Sequence, residues 1–272
     1  MSIASRAVNM VVQVGSQVWV ARLLSPEDVG LVAMVSAITG FAPVLIDLGT
    51  RDAAVQKSKI TEEEVSALFW LTMGIGTLLA MSLVACSSLI AAFYNEDRLK
   101  KIALFSAINF IFAAASCQHF ALLRRAMKFQ AIAVIEVSAS VVSAAGSVAM
   151  AFAGSGYWAL VAKPIMAAVV MLAGVCWACR WVPGIPGLTP GVKEMVRFGL
   201  NITGFTMADY VGRAADRVAL GKRAGPVDLG FYQNAFFVYD NVLSLMSLSL
   251  HSVAVASLSR SEEHTSELQS PC

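Results

Sequence analysis

Apolar residues fall into eight runs of membrane-spanning length, with most polar positions between them. A bilayer core of roughly 30 Å takes about 20 helical residues per span. The runs predict helices at about 3–24, 29–48, 65–93, 102–123, 132–153, 157–179, 192–219 and 229–257. The expected fold class is therefore all-α: a polytopic membrane protein with about eight transmembrane helices. Polar residues mark several of the ends. Glu27 and Asp28 suit a helix N-terminus, where the dipole favours negative charge. Thr61 to Glu64 reads as a capping box opening the third helix. Pro43 predicts a kink in the second. In the sixth, Trp158 and Trp177 lie roughly 28 Å apart at the helical rise. With Tyr157 and Trp181 they predict aromatic belts at both membrane faces.

Two stretches organise the runs. Pro26-Glu27-Asp28-Val29-Gly30-Leu31 returns 200 positions later as Pro226-Val227-Asp228-Leu229-Gly230-Phe231. Each copy opens a fresh apolar run, which suggests an internal duplication of the kind membrane transporters carry. Pro183, Gly184, Pro186, Gly187, Pro190 and Gly191 crowd one loop. That loop is the expected domain boundary, dividing 1–182 from 192–259 with a linker at 183–191.

Composition strengthens the membrane reading. The chain is 57% hydrophobic and 14% charged, with mean hydropathy +0.69; soluble domains carry about 25% charged residues. The net charge of +2 says little, because orientation is set loop by loop. On one side fall Arg6, Arg51, Lys57, Lys59, Arg124, Arg125, Lys128, Arg180, Lys193 and Arg197. On the other fall Arg22, Arg98, Lys100, Lys101, Lys222 and Arg223. The excess predicts a cytoplasmic N-terminus. Cys86, Cys117, Cys176 and Cys179 lie in apolar runs and read as small hydrophobes. Residues 260–272 resemble an in-frame translation of a sequencing adapter and are expected to be non-native. The native protein is then expected to continue past Ser259.

Some polar residues lie inside the spans, where facing lipid is costly. On the first helix, Arg6, Asn9, Gln13 and Gln17 recur three and four apart and form one stripe. Such amides line a wet cavity or join helices by hydrogen bonds. The seventh helix carries Asn201, Asp209, Arg213, Asp216 and Arg217, with Asp209, Arg213 and Arg217 at successive four-residue steps and Asp209 and Asp216 seven apart on one face. Lys163 lies five residues from Trp158 and is either cavity lining or a cation snorkelling to the interface.

A family resemblance follows from these motifs. Ala21 to Met34 (ARLLSPEDVGLVAM), Asp47-Leu48-Gly49, Ile60 to Glu64, Ala67 to Trp70, Leu122 to Arg125, Met127-Lys128-Phe129, Gly156 to Val161 and Arg197 to Asn201 are similar to bacterial polysaccharide flippases. The nearest group is the lipopolysaccharide and colanic-acid exporter type, within the multidrug/oligosaccharidyl-lipid/polysaccharide exporter superfamily. The resemblance covers nearly all of 5–259. It implies twelve or more helices in two six-helix lobes around a central cavity. This chain would then hold the first lobe and two helices of the second. It further implies flipping of an undecaprenyl-diphosphate-linked oligosaccharide across the inner membrane by alternating access. Such a protein is not an enzyme and needs no cofactor. Its partners would be the lipid-linked oligosaccharide, membrane lipids and a coupling ion, H+ or Na+, and not nucleic acid. Arg213 and Arg217 would meet the diphosphate, with the aspartates tuning them or relaying a proton or cation. Arg6, Asn9, Gln13, Gln17, Lys163 and Asn201 would line the cavity. A multidrug antiporter of the same superfamily is an alternative, although interior carboxylates of the first six spans are few, chiefly Glu136 and Asp47. A membrane component of polysaccharide polymerisation is another, although no sizeable acidic loop exists to carry its chemistry.

Overall fold

The computed structural model describes residues 3–49, 60–184 and 190–268, with backbone alone at 3, 4, 6, 190–199, 201, 202, 242 and 244–268. The described residues are helical and include no strand. The helices are α1 (Ile3–Leu23), α2 (Pro26–Thr39), α3 (Ala42–Asp47), α4 (Glu62–Tyr94), α5 (Arg98–Arg125), α6 (Phe129–Phe152), α7 (Trp158–Cys179) and α8 (Pro190–Leu268). The basic loop residues Arg51, Lys57 and Lys59, the linker 185–189 and the side chains of Arg6 and Asn201 lie outside the described residues.

Local chemistry sets the helix ends. Ser25 is extended, and its hydroxyl accepts the Asp28 N–H at 3.1 Å. The Asp28 carboxylate accepts the Ser25 N–H in return at 3.3 Å, closing a capping box. Pro26 sits in the first turn, where a missing N–H costs nothing. The expected capping box at Thr61 is present, with Glu64 as its reciprocal partner. The expected kink at Pro43 takes the form of a break just before it. The Pro43 ring would meet the carbonyl of Thr39, four residues back, so α2 stops at Thr39 and α3 restarts with Pro43 in its first turn.

Small residues let the helices approach. α4 and α5 pack along one another, and a Cβ at Gly76 would stand 2.5 Å from that of Ala114. α7 packs on α5 and α6, and α6 on α1. Val20, Leu24, Ala151 and Ala159 form a cluster at one end. Phe120, Leu123, Ile132, Ile135 and Val175 form another at the opposite end. The start of α7 thus meets the ends of α1 and α6, and its last turns meet the start of α6, so α7 runs antiparallel to both. At the second end, Gly184 is tied by both backbone groups: its N–H donates to Ser66 Oγ at 3.0 Å, and its carbonyl accepts Trp70 Nε1 at 2.9 Å. The Trp181 ring packs on His119 and Phe69 beside it.

Five stretches among the described residues are long and apolar enough to cross a membrane: Pro26–Asp47, Glu62–Tyr94, Arg98–Arg125, Phe129–Phe152 and Trp158–Cys179. The sequence led to an expectation of eight. α1 is long enough, but its polar stripe lowers its hydropathy. The chain is a multi-pass, all-α membrane protein. It divides into one compact unit ending at Gly230 and a second beginning at Phe231. In the second unit, Tyr232, Phe236 and Tyr239 form a row of ring contacts about one turn apart.

The predicted seventh and eighth helices come much closer together than their apolar runs suggest. Both extend into the interval 220–228, leaving Gly225 as the only non-helical residue inside α8. Gly225 has φ 86° and ψ −175°, a conformation that only glycine adopts readily. Pro226 then starts the second arm of α8 (226–268), following the first arm (190–224).

Candidate functional site

The two repeated boxes meet. A Cβ added at Gly30 would overlap the carbonyl of Pro226, and one added at Gly230 would overlap the carbonyl of Pro26. The same box position on each side rests on the same box position of the other, so the contact is reciprocal. Any side chain at either glycine would hold the backbones apart. Val29 and Leu229, which match in the repeat, are both buried there. The sequence showed the repeat, but nothing in it showed that the copies touch.

Box one is anchored from several sides. The Asp28 carboxylate also accepts the backbone N–H of Tyr157 at 3.1 Å. Glu27 pairs with Arg98 at 2.6 Å, and Arg98 pairs with Glu96 at 3.0 Å. The first turns of α2, α5 and α7 are thereby held together at one membrane face. Asp228, the counterpart of Asp28, is exposed.

Further contacts bind the first arm of α8 to α2 and α4. The Tyr210 hydroxyl donates to the carbonyls of Ala37 at 2.8 Å and Ser36 at 3.1 Å. Gly40 gives it room, since a Cβ there would stand 2.6 Å from the hydroxyl. Lys222 donates to the Phe93 carbonyl and lies 4.9 Å over the Phe93 ring. A cation suits that helix C-terminus. A cavity of about 460 Å³ opens between these contacts, lined by Ala37, Phe41, Phe93, Tyr210, Ala214 and Lys222 among others.

The charged residues of α8 lie mainly outside that packed surface. Asp209 and Arg213 form an ion pair at 3.1 Å, with side chains 50% and 63% exposed. Arg217 Nε donates to the Arg213 carbonyl at 3.3 Å, and the Arg217 N–H donates to Asp216 Oδ1 at 2.7 Å. Asp209, Arg213, Asp216 and Arg217 are thus brought together. Ala214 is buried against α2 and α4 instead.

The α1 stripe is divided. Gln13 is exposed, Gln17 is half-buried, and the buried Asn9 Oδ1 has no hydrogen-bond partner among the described residues. Lys163 turns toward α1. Its Nζ donates to Ser16 Oγ at 3.1 Å, and that hydroxyl donates to the Gln13 carbonyl at 2.9 Å. Ser16 was legible as a polar residue of α1 but not as the partner of Lys163, because periodicity gives a face and not a neighbour. Tyr210, Arg98 and the two box glycines were likewise not singled out as site residues. An aromatic, a loop arginine and a glycine carry no signal of their own in a membrane chain.

Comparison with known proteins gives a consistent picture. The family described as polysaccharide biosynthesis protein matches residues 19–271. The teichuronic acid biosynthesis protein TuaB of Bacillus subtilis is 26% identical over 200 residues, covering 73% of this chain and 41% of its own. The succinoglycan biosynthesis transport protein ExoT of Rhizobium meliloti is 25% identical over 215 residues, covering 79% and 44%. The lipopolysaccharide biosynthesis protein WzxC of Escherichia coli is 24% identical over 224 residues, covering 80% and 45%. The chain therefore spans less than half the length of these relatives. No solved structure matches it.

Proposed function

Because the chain belongs to the polysaccharide biosynthesis protein family, we propose that it acts in an oligosaccharide flippase of the bacterial inner membrane. The cargo is an undecaprenyl-diphosphate-linked repeat unit, moved by alternating access with the N-terminus cytoplasmic. No bond of the cargo is broken, so the protein works as a transporter and not as an enzyme. The task is to keep a diphosphate and a glycan out of hydrocarbon.

One observation carries this reading. Asp209, Arg213, Asp216 and Arg217 share the uncovered part of a helix whose other side packs on α2 and α4. Two guanidinium groups are too costly to leave against lipid, so that face lines a wet space. Guanidinium is also well suited to phosphate oxygens, which it can meet through paired hydrogen bonds. Arg213 and Arg217 hold the diphosphate, and Asp209 keeps Arg213 extended until the phosphate takes its place. Asn9, Gln13 and Gln17 supply amides for sugar hydroxyls. Arg6, Lys163 and Asn201 complete the proposed lining, with H+ or Na+ as the coupling ion.

The test is translocation in vesicles. A polyprenyl-diphosphate oligosaccharide is placed in the outer leaflet, and its loss from lectin access is followed. Vesicles containing the chain are expected to move it faster than empty vesicles, and Arg213→Ala with Arg217→Ala is expected to abolish the difference. Wild-type vesicles no faster than empty ones overturn the proposal.

A further inference from the structure

We infer that the two P-x-D-x-G boxes form a gate at the membrane face carrying Ser25–Asp28, Glu96–Arg98 and Gly156–Tyr157, and that the structure holds this gate shut. The purpose of the gate rests on the transport reading; the joint itself does not.

The gate has a fixed half and a moving half. Box one is the fixed half, since Glu27 is tied to Arg98 and Asp28 to both Ser25 and Tyr157. Among the described residues box two has no equivalent anchors: Asp228 is exposed, and the residue before Pro226 is Gly225 at positive φ. Box two therefore moves together with the first arm of α8 that leads into it. The moving half is held by three further contacts. Tyr210 bonds the α2 carbonyls, Lys222 bonds the end of α4, and Gly221 lies 3.1–3.3 Å, measured from an added Cβ, from Tyr94 of α4 and Met34 of α2.

The two glycines close the joint. Each brings backbone against backbone, which gives close packing and leaves no side chain that could adjust. A methyl group at either position meets a backbone carbonyl of the other box, so it is accommodated only by separating the boxes. Opening this face must break these same contacts, and no other described contact joins the two copies of the box. For an N-terminus in the cytoplasm, the gate lies on the external side. A cargo held at Arg213 and Arg217 would leave through it once Pro226 and Gly230 swing away from Gly30 and Pro26.

The experiment reads accessibility and needs no cargo. The five native cysteines are replaced by alanine, and Ala214→Cys, only 5% exposed and lining the cavity between the first arm of α8, α2 and α4, is the reporter. The rate of modification by a charged maleimide is measured on the purified chain. Gly30→Ala and Gly230→Ala are each expected to raise the rate about tenfold or more, the population shift expected from overpacking a tight contact. The double variant should react no faster than either single one, because one wedge already opens the joint. Gly212→Ala, on the same arm with nothing within 4 Å of its added Cβ, should leave the rate unchanged. Tyr210→Phe removes a hydrogen bond without adding bulk and should raise the rate a few-fold in a chain whose helix content and elution match the parent. The inference is overturned if both glycine variants keep the parent rate, if Gly212→Ala raises it equally, or if a folded Tyr210→Phe chain is unchanged while the glycine variants fail to fold. Vesicles that fail to flip while the glycine variants open the joint would overturn the transport reading and leave the gate standing.

Discussion

The carboxylate of Asp28 accepts the backbone N–H of Tyr157 at 3.1 Å, joining the start of α2 to the start of α7 across 129 positions. The same carboxylate accepts the Ser25 N–H. Asp28→Ala removes the acceptor of both backbone donors and of the Ser25 hydroxyl, which donates to the same carboxylate at 2.7 Å. At about 1 kcal/mol for each lost hydrogen bond, the loss is about 2–3 kcal/mol. Asp28→Asn keeps one carbonyl oxygen to serve Tyr157 and should lose about half as much. Unfolding midpoints in mild detergent check the order: wild type, Asn, Ala.

The neighbouring ion pair is expected to matter much less. Glu27 and Arg98 meet at 2.6 Å, but their side chains remain 43% and 42% exposed. Exposed pairs contribute about 0–1 kcal/mol and are screened by salt. Glu27→Gln should lower stability by less than Asp28→Ala does, and the difference from wild type should shrink at high salt. The same unfolding measurement, repeated across salt concentrations, checks this.

Lys163 and Ser16 give a third test. The Lys163 ammonium lies between α1 and α7 with the Ser16 hydroxyl as its hydrogen-bond acceptor. Ser16→Ala leaves a half-buried charge without that acceptor and should cost about 1–3 kcal/mol. Lys163→Met removes the charge and keeps the stem, so it should cost less. In the double variant the Ser16 substitution should add almost nothing, because the two residues act as one pair. A double-mutant cycle on stability reads this directly.

At the opposite membrane face, the Gly184 N–H donates to Ser66 Oγ. Ser66→Ala should therefore speed hydrogen exchange at the Gly184 amide, measured by mass spectrometry on peptides spanning the α7 end. Trp70→Phe removes only the bond to the Gly184 carbonyl and should leave that amide protected.

The parts of the fold that depend on neighbouring residues in sequence were legible in advance. Thr61 and Glu64 lie three apart and cap α4 as their spacing predicts. α7 runs from Trp158 to Cys179, within a residue of the span predicted at 157–179. Pro43 was legible as a kink, and the structure turns it into a full break, because the steric conflict reaches one turn back to Thr39. Parts that depend on distant residues were not legible. The P-x-D-x-G repeat suggested an internal duplication, yet only the fold places Gly30 on Pro226 and Gly230 on Pro26. The helical period put Asp209, Arg213 and Arg217 on one face correctly, but it could not say that Tyr210 and Ala214 turn the other way to pack on α2.

The most direct test of the proposed function is cargo binding by the purified chain, followed by native mass spectrometry. The probe is a short-chain polyprenyl-diphosphate oligosaccharide, with the corresponding neutral glycolipid as reference. The diphosphate lipid is expected to bind and the neutral one to bind far less. Substituting Arg213→Ala and Arg217→Ala together should weaken diphosphate binding by at least about tenfold, since each removes charged hydrogen bonds worth about 1.5–3 kcal/mol. Equal binding of the two lipids, or undiminished diphosphate binding by the double variant, would contradict the account.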